Sequence, residues 1–404
     1  MNYPVYLDNN ATTPMDPRVL DAMLPYFTHH FGNAASNAHI YGWEAREAVD
    51  QAREEIALLM GAEPKEIIFT SGATESDNLA LKGVFEKYSS KGNHIITCHT
   101  EHKAVLDTCK HLEKSGADIT YLAVQPNGLI NLHQLEAAIR PGTILIAIMY
   151  ANNETGVIQP VREISAVAKR HGVIFFTDGT QALGKIPVDV QSDGIDLMAF
   201  SAHKIYGPKG AGGLYVRRKS PAVKLAAQMD GGGHEKGMRS GTLNVPGIVG
   251  LGKACKLCSA EMKSDSMRIS ILRDQLEKEL LQIKDTHLNG HPKQRLPQVI
   301  NIAFGYTEGE SLKMGFHKHM AISSGSACSS ASMDPSHVLK AMGLGNLLAQ
   351  SSFRFSLGRF TTEEDIHFAV RQVRDTVTQL REISGVWKLH DSEKFEDQEE
   401  WKRG

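Results

Sequence analysis

The chain has 404 residues, with 44 Lys or Arg against 46 Asp or Glu and a net charge of −2. That length exceeds one small core and suits two domains, and the near balance of charge points away from nucleic acid or an anionic membrane as the main partner. No run of about 18 apolar residues marks a membrane span, residues 1–4 lack the basic end and apolar stretch of a signal peptide, and 5 cysteines fit a reducing compartment, so the expected location is the cytoplasm.

Residues 65–217 alternate short β-rich apolar runs with amphipathic stretches such as 164–171. This predicts an α/β fold, a mostly parallel sheet with helices on both faces. The first run, 67–69, leads into Thr70-Ser71-Gly72-Ala73-Thr74-Glu75-Ser76. Small residues let the backbone N–H groups around Ala73 approach an anion at a helix start, and the Thr74 hydroxyl adds a donor. The stretch is neither a Walker loop nor a dinucleotide fingerprint, and a plain helix cap is the competing reading. After run 94–97 comes His99-Thr100-Glu101-His102. His102 is suited to stack on a ring and shuttle protons. A zinc pair would need wider spacing and a third ligand.

Runs 119–124 and 144–150 follow, then 173–177 with Asp178 at its carboxyl end. Open α/β sheets place ligands at that end of central strands. A carboxylate there can keep a heterocyclic nitrogen protonated, and Gln181 is near enough in sequence to reach a ring oxygen. Run 197–200 ends in Ser201-Ala202-His203-Lys204, followed by a glycine-rich stretch at 206–213 and a last run at 213–216. A lysine at a strand end in an enclosed site can form a Schiff base with an aldehyde cofactor; a surface lysine is the ordinary alternative.

Cys255 and Cys258 form a CxxC inside a helical stretch with no second pair, which reads as structural. Beyond about residue 262 the pattern changes. A charged helix is expected at 265–284, a strand at 299–304, a small-residue loop at 323–332 and a helix at 362–383. These make a smaller α+β domain, joined by the N-terminal residues. The expected division is a large domain at 16–262 and a small one built from 1–15 and 263–404, with a polar tail from 391. Cys328 lies among Ser, Gly and Ala in the loop at about 323–335. Such surroundings suit a thiolate that attacks inside a pocket and then carries its cargo out.

In this order and spacing the motifs resemble the fold-type I pyridoxal-phosphate (PLP) enzymes of the class V aminotransferase group, and within it the cysteine desulfurases of the NifS/IscS kind. Residues 6–13, 32–37, 151–156, 237–242 and 351–358 strengthen the resemblance, which covers nearly the whole chain. The Ser/Gly/Ala setting of Cys328 is similar to the long-loop branch that feeds iron–sulfur scaffolds. It lacks the Arg-x-Gly-His-His-Cys context of the other branch.

The resemblance implies a role for each matching residue. Lys204 holds PLP and carries a proton, Asp178 pairs with the ring nitrogen, and His102 stacks on the ring. Gln181 and Asn153 meet the ring oxygen and the substrate side. Ala73, Thr74, Ser201 and His203 hold the phosphate. Thr242 reaches the phosphate of a neighbouring subunit, hence a homodimer, and Arg354 takes the substrate carboxylate. The implied reaction removes sulfur from L-cysteine, giving L-alanine and a Cys328 persulfide. The persulfide would serve an iron–sulfur scaffold, with Cys328 as a shared cluster ligand, and other acceptors including those for tRNA thiolation. A selenocysteine lyase or another class V enzyme is the rival. The tail at 387–404 matches the family's scaffold-binding end only loosely.

Overall fold

Consecutive apolar residues, rather than alternating ones, make a strand that is covered on both sides. In the computed structural model, which describes residues 4–219, 221–324 and 335–391, the runs of the first half are such strands. A short strand β1 (Val5–Tyr6) precedes them. They are β2 (Ile67–Thr70), β3 (His94–Cys98), β4 (Asp118–Leu122), β5 (Thr143–Ala147), β6 (Ile174–Asp178), β7 (Leu197–Ser201) and β8 (Gly212–Val216). They form a 7-stranded sheet in the order β2-β8-β7-β6-β5-β3-β4. Strand β8 runs antiparallel to both its neighbours, and the other pairings are parallel.

Parallel pairing requires crossovers, and the helices that supply them cover the faces. In β2, Ile67 and Phe69 join the core that holds Ile56 and Met60 of helix Ile40–Met60. Ile68 points the other way, into the core that holds Leu79 and Val84 of helix Ala73–Lys87. The period-2 alternation of one strand thus feeds two hydrophobic layers.

The helix expected at 265–284 is one continuous helix of 36 residues, Val245–Leu280. Gly250 and Gly252 make its first turns look like a loop in sequence. In the fold Gly252 permits close packing, since a Cβ there would lie 2.6 Å from the Ala52 Cα. Cys255 and Cys258 sit in this helix, buried and free. Burial pushes the Cys255 thiol well up and the Cys258 thiol to about 11, so both stay protonated and inert.

The chain continues into β9 (Thr286–Leu288), β10 (Val299–Phe304), β11 (Met320–Ala321), β12 (Ser323–Ser324) and β13 (Ser352–Ser356). A 4-stranded sheet runs in the order β12-β13-β10-β9, over its own core. Helix Glu363–Ile383 covers it, opened by a capping box in which Thr362 and Asp365 satisfy each other's backbone N–H. Residues near the N-terminus make contacts with this second sheet. Strand β1 pairs parallel with β11. Asn9 Nδ2 donates to the Ser356 carbonyl at 2.9 Å, and the Asn10 N–H donates to Ser356 Oγ at 2.9 Å. Among the described residues no helix is long and apolar enough to cross a membrane.

Candidate active site

The carboxyl ends of β2, β6 and β7 and the N-terminal segment enclose a cavity of about 650 Å³. Ala73, Thr74, His102, Asn153, Asp178, Gln181, Ser201, His203, Lys204 and Arg354 all line it. The structure therefore brings together ten of the residues singled out from the sequence. Thr242 does not line this cavity and is exposed at the surface of its own chain. Cys328 lies outside the described residues, as do most of its loop and the end of the tail.

One end of the cavity is built for an anion. Gly72 leaves β2 at φ +153°, a conformation closed to other residues, and caps helix Ala73–Lys87. A Cβ at Gly212 would lie 2.6 Å from the Gly72 Cα, so paired glycines let this turn settle against β8. The Ser76 N–H bonds back to the Gly72 carbonyl at 3.1 Å. The N–H groups of Ala73, Thr74 and Glu75 stand at the positive end of the helix. Ser201 lies beside this turn, its Oγ 3.7 Å from where a Gly72 Cβ would stand, and His203 also lines the cavity. Burial, then the charges of Lys204, Lys209 and Lys185, push the His203 imidazole down to about 4. It is therefore neutral near pH 7, with Nδ1 against Thr12 Oγ1 at 3.1 Å.

Lys204 ends the single 3₁₀ turn Ala202–Lys204 that follows β7. Its Nζ donates to the Asn10 carbonyl at 2.7 Å and the Ala11 carbonyl at 2.5 Å. Asp178, the last residue of β6, is buried and accepts the Thr180 N–H at 2.9 Å. Gln181 Nε2 donates to the Asn10 carbonyl at 2.9 Å, while its Oε1 accepts from Lys185 Nζ at 2.7 Å. His102 caps helix Lys103–Lys114, with Nδ1 accepting the Ala104 N–H at 3.1 Å. That bond assigns the proton of the neutral ring to Nε2.

Two carboxyls stand behind the wall. Glu101 accepts the Met149 N–H at 2.7 Å, and burial pushes its pKa up to about 8. Asp77 is also raised well above the usual carboxylate range, by burial first and then by Asp178 and Glu101. Asp178 is the buried carboxyl residue that lines the cavity. On the second unit, Arg354 in β13 donates Nη1 to the Asn153 carbonyl at 3.1 Å. Its Nη2 reaches Asp8 Oδ1 at 2.6 Å and Ser323 Oγ at 2.7 Å.

These groups can be tested for fit to PLP. Thr180 Oγ1 and Arg354 Nε belong to cavity-lining residues and are buried without a hydrogen-bond partner among the described residues. Buried orphans of this kind call for a polar occupant. The helix start offers donors to a phosphate, Asp178 an acceptor to a ring N–H, Lys204 an amine to an aldehyde and His102 a flat face. The donor set fits the cofactor. Among the described residues no group of three or more His, Cys, Asp or Glu could hold a metal.

Sequence reading passed over Asn10, Lys185, Asp77 and Glu101. Asn10 acts through its backbone carbonyl, which leaves no side-chain signature, and residues 6–13 drew notice only as part of the resemblance. The other three are defined by burial, which depends on the tertiary fold.

The Aminotransferase class-V family matches residues 5–368. The cysteine desulfurase IscS of Edwardsiella ictaluri is 54% identical over 392 residues, covering 96% of each chain. That of Anaeromyxobacter dehalogenans is 54% identical over 390 residues, again with 96% of each covered. Among solved structures, a NifS-like protein superposes with TM-score 0.87 and 36% identity, over 93% of this chain and 100% of the other. SspA, solved in complex with cysteine, gives 0.78 and 40%, over 89% and 100%. The strand-end lysine, the buried aspartate and the helix-start anion cradle thus lie in a chain that belongs to the class V aminotransferase family and, within it, to the cysteine desulfurases, which are PLP-dependent enzymes.

Proposed function

We propose that this chain removes sulfur from L-cysteine, releases L-alanine and carries the sulfur as a persulfide on Cys328 for iron–sulfur cluster assembly. The observation that carries this reading is the meeting of Lys204, Asp178 and Arg354 in one cavity, together with the family.

Lys204 would hold PLP through its Nζ, with Asp178 at the ring nitrogen, Gln181 at the ring oxygen and His102 against the ring face. Ala73, Thr74, Ser201 and His203 would hold the phosphate. When bound, the cofactor supplies an electron sink for charge that develops at the substrate Cα.

The chain's own residues do the rest. Arg354, with Asn153 beside it, orients the substrate carboxylate, because a guanidinium fork matches that group. The Lys204 amine takes the Cα proton and returns it. The Nε2–H of His102 is a second proton source on the cavity wall. The Cys328 thiolate then attacks the substrate sulfur. An S–S bond forms, the Cβ–S bond breaks and Cβ gains a proton. The sum is L-cysteine plus a thiol giving L-alanine plus a persulfide. The outer sulfur passes to an acceptor thiol on a scaffold or on a tRNA-thiolation partner.

A homodimer completes this reading, with Thr242 serving the partner's phosphate. Leu20, Leu24, Phe27, Phe31, Tyr41 and Trp43 are exposed near the N-terminus. So much exposed apolar surface in one segment supports a subunit interface. The large unit at 16–262 and the small unit formed by 1–15 and 263–404 serve as cofactor holder and sulfur carrier. The test is to supply L-cysteine to the PLP-loaded protein, quantify alanine and weigh the peptide that holds Cys328. Alanine matched by one added sulfur on that peptide supports the reading. Alanine formed with no sulfur ever on Cys328 rejects it.

A further inference from the structure

Lys185 is not one of the residues that the resemblance assigns, yet it touches the site. It is partly exposed as a residue, but its amine sits in the interior and donates to Gln181 Oε1 at 2.7 Å. Lys204 and Arg354 face it as like charges, and the Cys258 thiol is the one group of opposite tendency. The backbone is fastened from the second unit's side, since Ser266 Oγ donates to the Lys185 carbonyl at 2.6 Å. Burying an amine is costly, and here its hydrogen bond goes to a side chain that lines the cavity.

An amide can sit in two orientations that differ by a half-turn, and only the surrounding hydrogen bonds choose between them. At Gln181 the choice is made twice. The Asn10 carbonyl requires an N–H on one side, which Nε2 supplies at 2.9 Å. The Lys185 amine supplies a donor on the other side. Nε2 then has one hydrogen left, on the amide of a cavity-lining residue. Among the described residues, Lys185 is the donor that holds Oε1 in place.

We propose that Lys185 is a positioning residue, which locks the Gln181 amide so that its remaining N–H is presented to the ring oxygen of the bound cofactor. The proposal rests on the reading of the cavity as a PLP site. The hydrogen bond, rather than the charge, does the work, so an uncharged donor of similar length serves in its place.

The experiment records the absorbance spectrum of the PLP-loaded protein across pH for the native chain, Lys185→Met, Lys185→Gln, Gln181→Leu and Lys185→Met/Gln181→Leu. Losing one donor to a charged ring oxygen moves the midpoint of the colour change by about one pH unit. Lys185→Met is expected to shift it in the same direction as Gln181→Leu. The double variant should go no further than Gln181→Leu alone, and Lys185→Gln should stay near native. A Lys185→Met midpoint equal to native, even with lowered thermal stability, overturns the proposal. So do additive shifts in the double variant. Lys185→Gln guards against a methionine variant that fails to fold. A folded Lys185→Gln protein with a shifted midpoint is enough by itself to reject the hydrogen-bond role. A native protein that stays colourless with PLP overturns the cofactor reading, and this proposal with it.

Discussion

Lys204 Nζ and Gln181 Nε2 donate to the same acceptor, the backbone carbonyl of Asn10, at 2.7 and 2.9 Å. The distance between the amine and the amide is thereby set by a main-chain atom that no side-chain substitution removes. When Lys204 leaves to bond an aldehyde, Gln181 keeps its own bond to that carbonyl. The cavity wall need not rebuild when the lysine changes partner.

Lys204→Ala is expected to lose the covalent tie to PLP, because no other lysine holds this position at the end of β7. Borohydride should fix cofactor to the native chain and not to the variant. Loss of the proton carrier lowers turnover by roughly 10²- to 10⁴-fold. A reducible adduct to protein in Lys204→Ala would move the assignment to another lysine.

Cys328→Ser should bind PLP and L-cysteine as the native chain does, while an oxygen nucleophile accepts no sulfur. Alanine production should fall by more than roughly a hundredfold, about 2.7 kcal/mol of barrier. Near-native alanine and sulfide from this variant would take the role from Cys328.

Asp178→Asn should fold normally, because an amide oxygen can still accept the Thr180 N–H now held at 2.9 Å. The amide cannot keep a ring nitrogen protonated, so most turnover should disappear with PLP still bound. Native turnover would place the ring partner elsewhere.

Thr242 tests the shared site, since it is exposed and absent from its own chain's cavity. Lys204→Ala and Thr242→Ala chains, each impaired alone, are mixed and the heterodimer isolated. One site then carries both defects and the other carries neither, so activity should return. Verified heterodimers that stay inactive put Thr242 to work within its own chain.

Glu101 gives stability a pH signature. Burial raises its folded pKa to about 8, well above the ordinary glutamate value of about 4.5. Below about 4.5 the group is protonated in both states, so its titration adds no pH dependence there. Between about 4.5 and 8 the unfolded chain releases a proton that the folded one keeps, so stability falls by up to about 1.4 kcal/mol per pH unit. Glu101→Gln keeps an acceptor for the Met149 N–H and removes the titration. Thermal melts from pH 5 to 8 should decline less in the variant. Parallel declines would mean that Glu101 is charged in the fold.

The parts of the site legible in sequence are those tied to strand ends. Asp178 and Lys204 follow apolar runs directly, and runs buried on both faces leave little choice about where their last residues lie. The continuity of helix Val245–Leu280 and its first turns are hidden in sequence, because Gly250 and Gly252 look alike in a loop and in a tight helix contact. Lys185 and Glu101 were invisible for a different reason. Their character comes from what surrounds them, and a lysine or glutamate in a polar-rich stretch of sequence looks solvated until the fold encloses it.

The tie between Asn10 and Ser356 also sets a timetable. Those residues are 346 positions apart, so this hold on Asn10 is added only after β13 has been made and docked, whereas the Asn10 Nδ2 bond to the Asn153 carbonyl at 3.0 Å needs only the first half of the chain. A contact of such long range forms late, after the entropy of closing a large loop has been overcome. During synthesis Lys204 emerges with its strand well before this last hold on its acceptor is made. A chain halted short of residue 352 would hold every cofactor-facing side chain of the large unit, yet lack the Ser356 part of the clasp on Asn10. The spacing of Lys204 from Gln181 is therefore finished by a contact that only the later part of the chain supplies.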